Sequence, residues 1–366
     1  MKPVISLLLA ALLVVPIASC GQQQAPAASS NPPAASAGMA SSSSQQVTEE
    51  EPETPALSGT NPLTGEPMDA AYETLRPVAV MLNDLKAAQP QLGVSQADII
   101  YEVPAEGGIT RMMAVFQSLE GVGNLGSIRS ARPYYLELAL GHDALFVHAG
   151  GSPAAYQDIP AWGVDNMDGV NGGTDAKIFW RDPERRKNAG YEHSMLTSGE
   201  NIQEYLNQGH FRTEHESSYS YTQRFAQDGT PSGGTEATSV SVKYSYYKTA
   251  TFDYDASAGG YAVGQYGGAY VDGNNGEQVV VPNVLVLETS ISVIAGDTYG
   301  RLTVKTTGSG NGTFFCGGRS IPIRWSRASR NSPFAYTTES GAPLVLGQGS
   351  SYVCILSPKS ATVTVK

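Results

Sequence analysis

The sequence predicts an α+β protein, with a mixed α/β part over residues 61–235 followed by a mostly antiparallel β part over 236–366. Three observations carry this. Strand-like and helix-like runs alternate in the first part. The second part is a series of short runs rich in Val, Tyr and Thr, separated by Gly/Asn turns. Between them, Gln227 to Thr235 has the composition of a turn or linker.

Each element has a local reason. Arg76 to Leu82 is a short apolar run and reads as a strand. Ile99 to Val103 and Ile109 to Phe116 read as a strand pair across the Gly107-Gly108 turn. Tyr134 to Leu140 reads as a short helix, and Ala144 to His148 as a buried strand. Ser152-Pro153 is an N-cap followed by Pro at the first helical position, opening a helix through Ile159. Ser198-Gly199-Glu200 opens another that ends near Gly209. In the second part, strands are expected over Val242 to Tyr254, Gln278 to Glu288, Arg301 to Thr306, Thr313 to Phe315, Ile321 to Trp325, Tyr352 to Leu356 and Ala361 to Val365.

The N-terminus predicts an address. Met1-Lys2 precedes an apolar stretch from Val4 to Ala18, shorter than the ~20 residues of a membrane span. It ends in Ala18-Ser19-Cys20, small residues followed by a thiol, the pattern of a bacterial lipoprotein cleavage site. Residues 1–19 are then a signal peptide. Cys20 carries the lipid, and the protein is held on the extracytoplasmic face of the cell membrane. Residues 20–60 are rich in Gln, Ala, Ser and Pro and cannot bury enough apolar surface to fold. They form a tether with an r.m.s. reach of roughly 35 Å.

Charge narrows the partners. The chain has 23 Lys+Arg against 34 Asp+Glu, a formal net charge of −11, which disfavours nucleic acid. Residues 61–240 hold 12 basic and 23 acidic side chains, and residues 241–366 hold 10 and 7. The three cysteines provide neither a disulfide scaffold nor a zinc cluster. Outside the cytoplasm Cys316 and Cys354 could form one disulfide, or remain two separate buried thiols. No Gly-x-Ser-x-Gly elbow and no His-Glu-x-x-His occurs, so neither a serine hydrolase of that type nor a zincin is indicated. Gly121-Val122-Gly123-Asn124-Leu125-Gly126 matches a dinucleotide fingerprint, but in an exported chain it reads as a glycine-rich connection. Asp272 to Glu277 is too short for an EF-hand loop and reads as a hairpin turn. No cofactor and no metal is expected.

Two clusters are candidates for chemistry. Asp98, Glu102, Glu106, Arg111, Arg129 and Arg132 fall close together, with Ser130 as an expected helix N-cap. Arginines at a helix start suit phosphate or carboxylate. His148-Ala149-Gly150-Gly151-Ser152 places a histidine and a glycine turn at the end of a strand, where open sheets bind ligands. Glu192-His193-Ser194 is a third polar spot.

Asn61-Pro62-Leu63-Thr64-Gly65, Arg76-Pro77-Val78-Ala79-Val80-Met81, Ser95 to Glu102, Glu106 to Arg111, Ile128 to Arg132 and Val147 to Ser152 together resemble the YerB-like bacterial lipoproteins. In the second part the resemblance rests on Asn283 to Val286, Gly308 to Gly310, Gly317 to Trp325 and Gly349 to Val353. Tyr352 stands where relatives commonly carry Trp, a conservative change for packing. The resemblance covers essentially all of 61–366. It implies an anchored envelope protein of Gram-positive type, in two parts, with no established reaction. A looser likeness to cell-wall glycopolymer transferases rests on arginines that follow paired strands.

The expected function is binding of an envelope-derived anionic or glycan ligand, such as a cell-wall polymer, by Arg111, Arg129, Ser130, Arg132, Gly150, Gly151 and Ser152. One alternative is an envelope hydrolase or transferase, with Glu102, Glu106 and His148 moving protons. The other is a purely structural protein whose polar cluster is an ion-pair core.

Overall fold

A computed structural model describes residues 58–366. The signal peptide, Cys20 and nearly all of the tether lie outside the described residues.

The apolar runs of both parts of the chain meet in one sheet. We number the elements in chain order: β1 (Val78–Asn83), β2 (Ile99–Pro104), β3 (Thr110–Phe116), β4 (Asn124–Gly126), α1 (Pro133–Gly141), β5 (Leu145–His148), α2 (Pro153–Trp162), β6 (Asn166–Asp168) and α3 (Gly199–Asn207). There follow β7 (Ser239–Lys243), β8 (Thr249–Asp255), β9 (Gly260–Gln265), β10 (Asn283–Glu288), β11 (Gly308–Cys316), β12 (Arg319–Arg327), β13 (Ser351–Leu356) and β14 (Thr362–Val365). The large sheet has 11 strands, and its main path runs β12-β11-β10-β13-β2-β3-β1-β5-β6. Strand β13, from the end of the chain, pairs in parallel with β10 on one side and β2 on the other. The two parts of the chain therefore share one hydrogen-bonded ladder. A second sheet, antiparallel throughout, runs β9-β8-β7-β14 with short strands on β9.

Strands β1, β2, β3, β5, β10 and β13 of the large sheet are buried on both faces, which explains their near-continuous apolar sequences. Strand alternation sends Val78, Val80 and Leu82 of β1 and Tyr352 and Cys354 of β13 to one face. There they meet Val240, Val242, Phe252, Tyr261 and Val263 of the second sheet, and Ile202 and Leu206 of α3. Ala79, Met81, Val353 and Ile355 point the other way, onto Tyr134, Tyr135, Leu136 and Leu138 of α1 and onto Trp325 and Phe334.

Several expectations change. Val242 to Tyr254 is two strands, because the polar turn at 244–248 reverses the chain. The strand expected over Gln278 to Glu288 is interrupted at Pro282. The helix after Ser152 runs on to Trp162 and ends at Gly163, whose φ of 65° is a left-handed cap. Ser130 is not a cap: α1 begins at Pro133, and the cap position is Arg132. Cys316 and Cys354 are both free and buried. They cannot pair because they face opposite sides of the large sheet, Cys354 toward the second sheet and Cys316 toward the helical side.

The Asp272 turn is a hairpin turn, and it also clamps the two parts of the chain. The Asp272 carboxylate accepts from the Gly93 N–H (3.0 Å), the Ser95 N–H (2.8 Å), the Ser95 hydroxyl (2.8 Å) and the Asn274 N–H (2.9 Å). Asp272→Ala removes the acceptor for all four donors. It should cost about 2–3 kcal/mol, seen as a lower urea midpoint with an unchanged slope.

Candidate functional site

The site forms where three segments cross the end of β1. Arg111 opens β3, and Glu106 stands in the turn before it. Residues 128–132 run between β1 and the glycine loop after β5: the Arg129 N–H donates to the Met81 carbonyl (3.0 Å), and the Ala131 N–H to the Gly150 carbonyl (2.8 Å). The third segment, around Tyr191, carries Glu192.

Together they line an open cleft of about 360 Å³ that includes Glu106, Arg111, Arg129, Ser130, Arg132, Arg181 and Glu192. Four arginines face two glutamates there, a formal excess of two positive charges. Glu106 is the hinge of the arrangement. Its carboxylate accepts from Arg111 (2.9 Å) and from both Nε (3.2 Å) and Nη2 of Arg132. Burial works to raise its carboxyl, but the Arg132 hydrogen bond and the Arg111 and Arg132 charges prevail and hold it at about 2. Arg111 is further fixed by the Ser130 carbonyl at 2.9 Å, and Arg132 by the Ala131 carbonyl at 2.8 Å.

The other two arginines are held loosely. Arg129 reaches the Glu192 carbonyl at 2.9 Å and its carboxylate at 3.5 Å, but that carboxylate is 75 % exposed. Arg181 donates to the Tyr191 carbonyl at 2.7 Å and lies 3.5 Å from the centre of the Tyr191 ring. Buried Nε groups of Arg111 and Arg129 have no hydrogen-bond partner. The long, exposed Arg129–Glu192 contact leaves the cleft donor capacity suited to planar oxyanions.

Other expected site residues lie elsewhere. His148 is fully buried, with Nδ1 2.8 Å from the Gly150 carbonyl and Nε2 3.0 Å from Asn166 Oδ1. It holds the turn and does not face the cleft. The Gly150 N–H is likewise committed, donating to Asp168 Oδ1 at 2.7 Å. Ser152 caps α2 by accepting from the Ala155 N–H. Gly150, Gly151 and Ser152 thus lie outside the cleft lining and brace the segment behind it, with Gly151 bridged to Ala131. Glu102 points to the opposite side of β2 from the apolar residues Tyr101 and Val103, into a fully buried cluster with Lys248. His193 bonds Asn83 at 2.7 Å.

Sequence reasoning missed Arg181 and Tyr191. Their ten-residue spacing has no period, and only the fold stacks them. A larger cleft, about 450 Å³, lies by Trp162, Asp143, Arg212 and Tyr219. Its cation Arg212 is spent on Asp143 (2.7 Å) and Glu216 (3.3 Å), so it offers no free charge.

These features define an α+β scaffold with a cationic cleft. The chain belongs to the family described as protein of unknown function (DUF3048): residues 63–212 match its N-terminal domain and residues 240–353 its C-terminal domain. It is 32% identical over 271 residues to the Bacillus subtilis (strain 168) protein named "Putative lipoprotein YerB", covering 73% of this chain and 78% of that one. The crystal structure of YerB from Bacillus subtilis matches with a TM-score of 0.71 at 29% identity, over 83% of this chain and 99% of that chain.

Proposed function

We propose that this is a lipid-anchored envelope protein whose arginine cleft binds a phosphate- or carboxylate-bearing ligand derived from the cell envelope. The observation that carries the reading is the convergence of Arg111, Arg129, Arg132 and Arg181 on one open cleft with only Glu106 and Glu192 against them. A purely structural ion-pair core would match its charges and close over them. Anchoring through Cys20 is supported by the name of the Bacillus subtilis relative and by the signal sequence.

Binding is favoured over catalysis by the state of Glu106. A carboxyl held near 2 stays ionised and is a poor proton carrier at neutral pH. Glu102 and His148, the other acid–base candidates, are buried away from the cleft.

Native mass spectrometry of the full chain in detergent, offered envelope lipids and cell-wall polymer fragments, tests this. Anionic species should bind, and Arg129→Ala should weaken them at least tenfold while leaving the fold intact. Arg129 is the variant of choice because its acidic partner is exposed. Equal binding by the variant, or binding of neutral glycans alone, would overturn the reading.

A further inference from the structure

The cluster around Glu102 has a different chemistry from the cleft. Lys248, in the turn between β7 and β8, places Nζ 2.5 Å from Asp84 Oδ2 and 3.2 Å from Glu102 Oε1, and all three side chains have zero exposure. Asp84 immediately follows β1, so the contact joins the two parts of the chain. The Thr110 hydroxyl lies 2.5 Å from Asp84 Oδ2 and 2.8 Å from Glu102 Oε1, yet has one proton for two acceptors. Asp84 Oδ1 is buried with no partner. Glu102 Oε2 is well held, by the Tyr352 hydroxyl (2.5 Å) and Gln265 Nε2 (3.3 Å). The Tyr266 ring lies over Nζ at 4.7 Å.

One cation and two carboxylates in a dry site, with a carboxylate oxygen unsatisfied, form a poor ion pair. They are a good arrangement for condensation. We propose that Lys248 and Asp84 are joined by an intramolecular isopeptide bond, formed in the folded chain with Glu102 as proton acceptor. An amine hydrogen-bonded to a carboxyl oxygen sits near the attack distance of about 3–3.5 Å from its carbon. Burial pushes the Asp84 carboxyl up, toward its acid form, while the Asp84 and Glu102 charges hold the Lys248 ammonium up, so the neutral amine needs a proton acceptor beside it.

Glu102 takes a proton from the Lys248 ammonium, and the neutral Nζ adds to Asp84 Cγ. The C–N bond forms as the bond from Cγ to its hydroxyl oxygen breaks. The second amine proton leaves with that hydroxyl as one water. The products are the amide, one water and the extra ammonium proton, left on Glu102, and no oxidant or cofactor is needed. The site then holds no charged group.

The test is peptide mapping of the full chain, purified from membranes in detergent, denatured and digested. The expected product is one branched peptide containing both Asp84 and Lys248, lighter than its two arms by one water, about 18 Da. Lys248→Arg and Glu102→Gln should each reduce the branched species at least tenfold. Wild-type protein that is natively folded and yields separate linear peptides, with Asp84 and Lys248 unmodified, overturns the proposal without reference to any variant. Wild-type cross-linking in a folded Glu102→Gln would remove Glu102 from the step.

Discussion

Arg111→Ala is expected to lower stability by about 3 kcal/mol and to abolish anion binding in the cleft. Arg111 is 4 % exposed, and its guanidinium serves both Glu106 and the Ser130 carbonyl. Truncation leaves a half-paired carboxylate and an open carbonyl, the circumstance in which removing one ionic partner costs most. Arg111→Lys keeps the charge but cannot serve both acceptors with a planar fork, so it should recover less than half of the loss. The measurement is the urea midpoint of each variant. Acid titration supplies an independent check. Because the folded Glu106 carboxyl is held at about 2 against 4.5 unperturbed, its contribution is complete above pH 4.5 and is lost as pH falls toward 2. Glu106→Gln should remove that limb.

His142 is expected to give a second, earlier acid limb. It is fully buried beside Tyr101, whose hydroxyl lies 2.7 Å from Nε2, and its Nδ1 has no partner. Burial, with the Arg327 charge adding to it, pushes the imidazole down to about 3 from 6.5. The unfolded chain therefore binds the proton that the folded chain refuses. Stability from this group is complete above pH 6.5 and lost as pH falls toward 3, roughly 2–3 kcal/mol by pH 4.5. His142→Gln keeps a side-chain acceptor for Tyr101 and does not titrate. Urea midpoints at pH 7, 5.5 and 4.5 should fall less steeply in the variant than in the parent, and equal slopes would show that another group carries the limb.

Local features were legible where local chemistry decides them. The strand pair across Gly107-Gly108 and the Ser152-Pro153 helix start both depend on neighbouring residues, and both form as read. Glu106, Arg111, Arg129 and Arg132 lie together along one cleft. His148 and Glu102 misled as cleft residues because residue type announces reactivity while the fold decides what each side chain faces. Both are shut away, one by the glycine loop and one by Lys248. Lys248 itself carried no signal: a lone lysine in a Tyr-rich turn reads as solvated. The single large sheet was equally hidden, since nothing in a run such as Ser351–Leu356 names its distant neighbours.

The central place of β13 has a consequence for biogenesis. The chain is synthesised N-terminus first, and β2 emerges long before the strand that completes its ladder. Until that strand arrives, Tyr101 and Ile100 border an open, apolar sheet edge, a template for wrong pairing. Such distant pairing also makes for slow folding. The first part of this protein must therefore wait, unfinished, for the last. Truncation before residue 351 should yield an aggregating chain rather than a smaller folded one, so the newly made protein needs shelter until its final strand is delivered.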